Sequence, residues 1–112
     1  MKYKIYERIE FSAAHRLEDY QGKCNELHGH NYLVEIWVES DNLNEQGMVV
    51  DFTVLKNIVK RLDHKYLNEI LPYKNPTVER IANSIKKEIE SKYKVKARIR
   101  VWEDKDSYVE VI

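Results

Sequence analysis

The feature that most constrains the fold is a long alternation of apolar and polar residues that begins near the start of this 112-residue chain. Its apolar members have odd numbers, as one face of a β-strand requires. They are Tyr3, Ile5, Ile9, Phe11 and Ala13. His15 continues the same parity. The sequence therefore predicts a long strand with one half-buried face and a histidine near the end of that face.

A second alternating run extends from His30 to Val38, with apolar side chains on one face and Glu35 and Glu39 on the other. His28 has the same parity as His30. The pattern predicts a second strand that begins with two histidines on its apolar face.

Apolar residues then recur every three or four positions in two segments, which is typical of amphipathic helices. The first stripe is Val54, Leu55, Ile58, Val59 and Leu62, and the second is Val78, Ile81, Ala82, Ile85 and Ile89. We expect Asp51 or Thr53 to cap the first helix. The second helix is expected to begin with Asn75 as its cap and Pro76 in its first turn. It should end near Tyr93.

Alternation returns near the end of the chain, in Val95, Ala97, Ile99 and Val101. A short final strand is expected from about residue 108 to residue 112. The order β-β-α-α-β-β predicts an α+β domain in which antiparallel hairpins carry both helices on one face. No linker, repeat or low-complexity tract divides the sequence, so we expect a single domain over residues 1–112.

The charge balance excludes an overall basic surface. Lysine plus arginine and aspartate plus glutamate both number 19, so the net charge is zero. We therefore expect no binding of nucleic acid or anionic membranes through a general positive field. The single cysteine cannot form an intramolecular disulfide, and no apolar stretch approaches the roughly 20 residues of a membrane span. These features predict a cytoplasmic protein.

Three of the four histidines, His15, His28 and His30, lie at the predicted strand ends. Residues two apart on a strand point to the same face, about 6.5–7 Å apart, so His28 and His30 can converge on one ion while Gly29 leaves space. His15 completes the set if the two strands pair as a hairpin. Three neutral imidazoles with an open fourth position are typical of catalytic zinc. We therefore predict a Zn²⁺ site.

Cys24 lies four positions before His28 and has two possible roles. As a fourth ligand it would close the site and make the zinc structural. As a free thiol beside the metal it would be a reactive group, because a nearby cation favours the thiolate. The polar residues around Cys24 argue against a third possibility, simple burial in the core.

Two further features depend on context. Asp63 and His64 are adjacent at the end of the first predicted helix, where they could form a relay or a solvated helix end. Glu103 keeps the parity of Val101 and ends an inward-facing row. There it is either a strand end in water or a carboxylate that accepts hydrogen bonds from a planar pair of donors.

Six segments, taken in order, resemble a known family. They are FSAAH (11–15), CNELHGHNY (24–32), GMVVDF (47–52), LDH (62–64), NPTVE (75–79) and WE (102–103). Together they are similar to the 6-pyruvoyl-tetrahydropterin synthase superfamily over nearly the whole chain. The three-residue gap between Cys24 and His28 resembles its 6-carboxy-tetrahydropterin synthase branch.

The resemblance implies a tunnelling fold, in which a four-stranded antiparallel sheet carries two helices. Three subunits would join their sheets into a barrel, and two trimers would stack into a homohexamer with active sites at subunit interfaces. Such closure would leave no exposed sheet edge.

The implied reaction converts 7,8-dihydroneopterin triphosphate to 6-carboxy-5,6,7,8-tetrahydropterin, with release of acetaldehyde and triphosphate, in 7-deazaguanine (queuosine) biosynthesis. The three histidines would be the zinc ligands. Cys24 would accept protons, Asp63 and His64 would be its relay partners, and Glu103 with Thr77 would contact the pterin. Two alternatives are a 6-pyruvoyl-tetrahydropterin synthase and a non-catalytic, zinc-stabilised assembly module.

Overall fold

The computed structural model describes residues 1–22 and 25–112. Within these residues the chain forms five strands and three helices. In chain order they are β1 (Tyr3–His15), β2 (His28–Ser40), α1 (Phe52–Lys60), β3 (Lys65–Tyr66), α2 (Leu67–Ile70), α3 (Val78–Tyr93), β4 (Lys96–Asp104) and β5 (Ser107–Val111). The sheet has the order β3-β1-β2-β4-β5, in which β3 is parallel to β1 and the other neighbours are antiparallel.

The predicted four-stranded antiparallel sheet with two helices is correct for the main elements but incomplete. The structure adds the two-residue strand β3, which pairs in parallel with β1, and the four-residue helix α2. Both are too short to produce a hydrophobic period that a sequence pattern could reveal. They form because the turn before β3 bonds to the edge of β1, where the His64 N–H donates to the Ser12 carbonyl at 2.6 Å.

The hairpin of β1 and β2 fixes which residues face each other. Its register pairs His15 with His28 and Ala13 with His30. The odd-numbered side chains of β1 and the even-numbered side chains of β2 form the inner face, which packs against α1 and α3. The core on this face includes Phe11, Tyr32, Val34, Ile36, Leu55, Ile81, Ile89 and Ile99. The three histidines continue this face beyond the apolar core.

The two long helices begin at different kinds of cap. Asp51 caps α1, because its side chain accepts the Thr53 N–H at 2.8 Å. The predicted cap of α3 is wrong: Thr77 caps it and accepts the Arg80 N–H at 3.3 Å. Asn75 lies two residues before that cap.

Pro76 therefore precedes the cap of α3 instead of entering its first turn. The helix ends at Tyr93, as expected, because Lys94 adopts a left-handed conformation with φ of +50°. None of the helices in the described ranges is long and apolar enough to cross a membrane.

Candidate metal centre and active site

The structure brings the three predicted metal ligands together at one end of the inner face. His15 is the last residue of β1, and His28 and His30 are the first and third residues of β2. The ring centroids of His15 and His28 are 4.5 Å apart, and those of His28 and His30 are 4.8 Å apart. This convergence follows from the strand parity and register, since all three side chains share one face.

Backbone carbonyls fix the tautomers of two of these rings. The His15 Nδ1 lies 2.9 Å from the Pro76 carbonyl oxygen, and the His28 Nδ1 lies 2.8 Å from the Glu26 carbonyl oxygen. A carbonyl oxygen only accepts, so in the neutral rings both Nδ1 atoms carry the proton and both Nε2 atoms keep a lone pair. Outer hydrogen bonds of this kind orient histidines that bind metals.

The Nε2 atoms of the three histidines face one another. The Nε2 atoms of His15 and His28 are 2.9 Å apart, and the buried Nε2 of His30 has no hydrogen-bond partner. Glu103 Oε1 is 2.8 Å from that His30 nitrogen, but not in an alignment that makes a hydrogen bond. Lone pairs that face each other repel unless a cation lies between them. The donor set therefore fits a metal ion.

Glu103 belongs to this group in the structure. One donor atom each from His15, His28, His30 and Glu103 lies within 4.8 Å of the others, and we call these four residues the metal group. The family resemblance implied a contact between Glu103 and the pterin, and no pattern in the sequence placed Glu103 near the metal. Its parity on β4, together with the pairing of Leu33 with Trp102, could have indicated this proximity.

Burial keeps the imidazoles in the form that binds metal. His15 is 2% exposed, and this burial lowers its pKa below the ordinary value of 6.5. Burial also lowers the pKa of His30. Next to them, burial raises the pKa of the Tyr32 hydroxyl, which lies 3.4 Å from the His15 Nδ1. Burial therefore favours the neutral form of His15 and His30, the form that a ligand needs.

Asp63 and His64, which we call the relay pair, are held on the edge of β1. Asp63 Oδ1 accepts the Ser12 N–H at 2.8 Å, and Asp63 Oδ2 lies 3.0 Å from the His64 Nδ1. The bond from Ser12, followed by that from His64, lowers the pKa of Asp63. His64 has a left-handed backbone with φ of 59° and a side chain that is 83% exposed. The carboxylate thus orients an imidazole that faces solvent.

The relay pair and the metal group lie at the same end of the sheet but on different faces. His64 lines an open cleft of about 490 Å³ together with Ser12, Ala14 and Asn31. The side chains of these three residues alternate along the strands with those of the inner face. The cleft also includes His30. The His64 ring therefore lines a cleft formed by outer-face side chains together with His30, whereas the metal-binding nitrogens converge on the inner face.

Of the remaining predicted site residues, Thr77 lies beside Pro76, the residue whose carbonyl binds His15. Its hydroxyl accepts the Arg80 N–H as the cap of α3. Cys24, predicted to be the proton acceptor, lies outside the described residues.

Comparison with known proteins identifies the family. A family model described as 6-pyruvoyl tetrahydropterin synthase matches residues 4–112. The chain belongs to this family. The resemblance inferred from the six segments is thereby confirmed.

Members of the family with curated names include 6-carboxy-5,6,7,8-tetrahydropterin synthases. A protein of Pyrococcus horikoshii with the name putative 6-carboxy-5,6,7,8-tetrahydropterin synthase is 34% identical, over 99% of this chain and 90% of its own length. A 6-carboxy-5,6,7,8-tetrahydropterin synthase of Synechocystis is 45% identical over 70% of this chain and 67% of its own length. The structure of Caenorhabditis elegans 6-pyruvoyl tetrahydropterin synthase superposes with a TM-score of 0.78 at 25% identity, over 99% of this chain and 95% of that one.

Proposed function

We propose that the protein is a zinc-dependent lyase that converts 7,8-dihydroneopterin triphosphate and one water molecule to 6-carboxy-5,6,7,8-tetrahydropterin, with release of acetaldehyde and triphosphate, in 7-deazaguanine (queuosine) biosynthesis. The observation that carries the proposal is the convergence of nitrogen donors from three histidines in a chain whose relatives have the name of this synthase. An open nitrogen site of this kind is typical of catalytic zinc.

His15, His28 and His30 would hold the ion. When bound, zinc acts as a Lewis acid that makes substrate hydroxyl groups more acidic. Glu103 would accept hydrogen bonds from the amino and ring N–H groups of the pterin. Its position supports this role, because the carboxylate is 31% exposed and has a donor atom beside the ligands. Thr77, next to Pro76, would contribute to the same end of the pocket.

Cys24 would accept protons from the substrate side chain, and the relay pair would hold the charge that this transfer creates. Asp63 supports this assignment because its lowered pKa keeps the carboxylate ionised. An ionised carboxylate at the His64 Nδ1 fixes the proton there and leaves Nε2 free to exchange protons with a partner.

We also propose a homohexamer of two stacked trimers, with active sites at subunit interfaces. The exposure of the His64 ring supports this, because a ring that faces solvent is free to approach the metal group of a neighbouring copy. The sheet edge supports it as well: within the described residues, β5 pairs on one side only. An unpaired edge strand is a surface that a second copy can extend.

The experiment that tests the function is product analysis. Zinc-loaded protein is incubated with 7,8-dihydroneopterin triphosphate, aldehyde is trapped with a hydrazine, and the pterins are separated and weighed by mass spectrometry. Acetaldehyde with a 6-carboxy pterin is the expected result. A 6-pyruvoyl pterin with triphosphate and without acetaldehyde would instead assign 6-pyruvoyl-tetrahydropterin synthase activity.

One observation favours a second candidate, a non-catalytic assembly module stabilised by zinc. Glu103 places a fourth protein donor among the three histidine nitrogens, and four protein ligands are typical of structural zinc. Full zinc occupancy with no conversion of the triphosphate substrate would support this module.

A further inference from the structure

The geometry points to Asn75 as a positioning residue for the metal ligand His15. Asn75 holds the loop whose carbonyl fixes the His15 tautomer, and so it keeps the His15 Nε2 free to bind metal. This inference rests on the proposed metal site.

Asn75 makes two hydrogen bonds to one residue. Its Oδ1 accepts the Glu18 N–H at 2.7 Å, and its Nδ2 donates to the Glu18 carbonyl at 3.0 Å. A primary amide that bonds both backbone groups of one residue mimics the pairing of a neighbouring strand. The segment that follows β1 is thereby tied to the loop before α3.

These hydrogen bonds lie close to His15 in both chain segments. Glu18 is three residues beyond His15 in the chain, and Pro76 is the residue after Asn75. The Pro76 carbonyl accepts the His15 Nδ1–H at 2.9 Å. The contact between His15 and the Pro76 carbonyl therefore joins the end of β1 to the loop before α3. The Asn75 side-chain amide holds the same two segments together close to that contact.

The direction of the Pro76 carbonyl is fixed from both sides. On one side Thr77 caps α3, and the proline ring restricts φ of Pro76 itself. On the other side the Asn75 backbone carbonyl accepts the Thr77 N–H at 2.9 Å, while the Asn75 side chain holds Glu18. Asn68 also joins the Arg16 and Lys74 carbonyls, at 2.8 Å and 3.3 Å, on the far side of the loop. Without the Asn75 side-chain amide, the loop keeps this link and its attachment to α3, but loses both bonds at the residue that precedes Pro76.

Loss of the Asn75–Glu18 hydrogen bonds would allow the His15 ring to change tautomer. The buried His15 has a second polar neighbour, the Tyr32 hydroxyl, which can donate as well as accept and lies 3.4 Å from Nδ1 and 3.5 Å from Nε2. While the Pro76 carbonyl holds the proton on Nδ1, this hydroxyl has no lone pair to bond there. If the Pro76 carbonyl moves away, the Tyr32 hydroxyl can donate to Nδ1 and the ring proton can reside on Nε2. A protonated Nε2 has no lone pair for a metal ion, so zinc binding would weaken.

The tautomer can be measured directly in metal-free protein. Long-range nitrogen–proton NMR correlations in the imidazole ring distinguish Nδ1–H from Nε2–H histidine. We expect His15 to be Nδ1–H in the wild type and a mixture of both forms in Asn75→Ala. If Asn75 contributed only to overall stability, its replacement would leave the His15 tautomer of the folded protein unchanged. The tautomer therefore distinguishes a positioning role from a stabilising one.

Asn44→Ala is the matched control. Asn44 also makes two side-chain bonds to backbone, accepting the N–H groups of Gln46 and Met48 at 3.0 Å each. It lies beyond Ser40, which pairs with Tyr3 at the other end of the hairpin from His15. This variant should keep the wild-type tautomer. Asn75→Asp retains the acceptor for the Glu18 N–H and should give a smaller shift than Asn75→Ala.

Zinc affinity, measured by competition with a chromophoric chelator, is the second measurement. Outer-shell changes typically weaken metal binding 10–100-fold, and we expect a loss of about tenfold in Asn75→Ala and little change in Asn44→Ala. A fully Nδ1–H His15 in folded Asn75→Ala overturns the inference. If that variant does not fold, an unchanged tautomer in Asn75→Asp overturns it.

The two measurements separate this inference from the proposed function. Wild-type protein that binds no zinc overturns the proposed metal site and the positioning role with it. Wild-type protein that binds zinc but forms no pterin product overturns the proposed reaction alone, because the tautomer and the affinity still report on Asn75.

Discussion

The metal group and the relay pair both lie near the end of β1, at His15 and beside Ser12, yet they are built in different ways. The metal ligands come from regular strands, and their neighbours are backbone carbonyls and the buried Tyr32. The relay pair comes from a turn, and its imidazole faces solvent at 83% exposure. The ligand His15 is buried within the chain, whereas the relay imidazole is open to solvent.

This difference in construction indicates which interactions hold each region in place. Strand register fixes the metal group, so a single change of ligand should remove the ion and leave the fold intact. Two bonds to Ser12 fix the relay pair, so changes to the exposed His64 ring should leave both metal and fold intact. Metal content and turnover should therefore respond to different substitutions.

Replacement of His28 should remove the metal. In His28→Ala we expect zinc affinity to fall by more than about 100-fold, beyond the loss typical of outer-shell changes, because a ligand itself is missing. Metal analysis after gel filtration measures the zinc content. His64→Ala is the control and should retain one zinc per chain. Full zinc content in His28→Ala would contradict the ligand assignment.

Replacement of His64 should remove turnover without removing metal. We expect the rate in His64→Ala to fall by a factor on the order of 10²–10⁴, the usual contribution of general acid–base groups. Cys24→Ala should show a similar loss with full zinc, and the double variant should be hardly worse than either single variant, because the groups act as a unit. Wild-type turnover in Cys24→Ala would falsify its catalytic role, and loss of zinc there would make it a ligand.

Mixed oligomers test whether the two regions meet between copies. Co-expressed His28→Ala and His64→Ala subunits should regain activity in up to about a quarter of the sites, since an intact metal group can then meet an intact relay pair from a neighbour. Light scattering should show a hexamer for each variant alone. Absence of any recovery in a mixed hexamer, or a stable monomer at micromolar concentration, would argue against shared sites.

Acid should destabilise the metal-free protein through the inner-face histidines. Burial lowers the folded-state pKa of His15 below 6.5, so the unfolded chain binds a proton more readily than the folded chain. The free energy of unfolding should therefore fall as the pH drops below about 6.5 towards the folded-state pKa, and the contribution should be fully present above that range. Urea denaturation in the presence of chelator at a series of pH values measures this.

The control for the pH effect is His15→Gln, which removes one of the titrating groups. Its stability should depend less steeply on pH over the same range, while His30, whose pKa is also lowered by burial, continues to contribute in the same direction. An identical pH dependence in wild type and His15→Gln would show that His15 is not buried in its neutral form.

Several parts of the fold and site could be predicted because their signals are local. The alternation of period two predicted β1 and β2, and parity placed His15, His28 and His30 on one face. The apolar stripes predicted α1 and α3, including the end of α3 at Tyr93. A strand or helix that buries one face repeats its pattern over many residues, so the sequence alone determines it.

Other features were decided only by tertiary structure, because they depend on residues far apart in the chain. Asp63 bonds to Ser12 across 51 positions, and Asn75 bonds to Glu18 across 57. The same contact with Glu18 explains why Asn75 does not cap α3. The approach of Glu103 to the histidines likewise requires the β2–β4 register.

The sequence by itself therefore determined the long strands, the two long helices and the three histidines that can bind metal. Only the folded chain decided how those residues are oriented. A polar side chain with several possible partners bonds to the backbone that the fold places beside it, and no local pattern encodes which backbone that is.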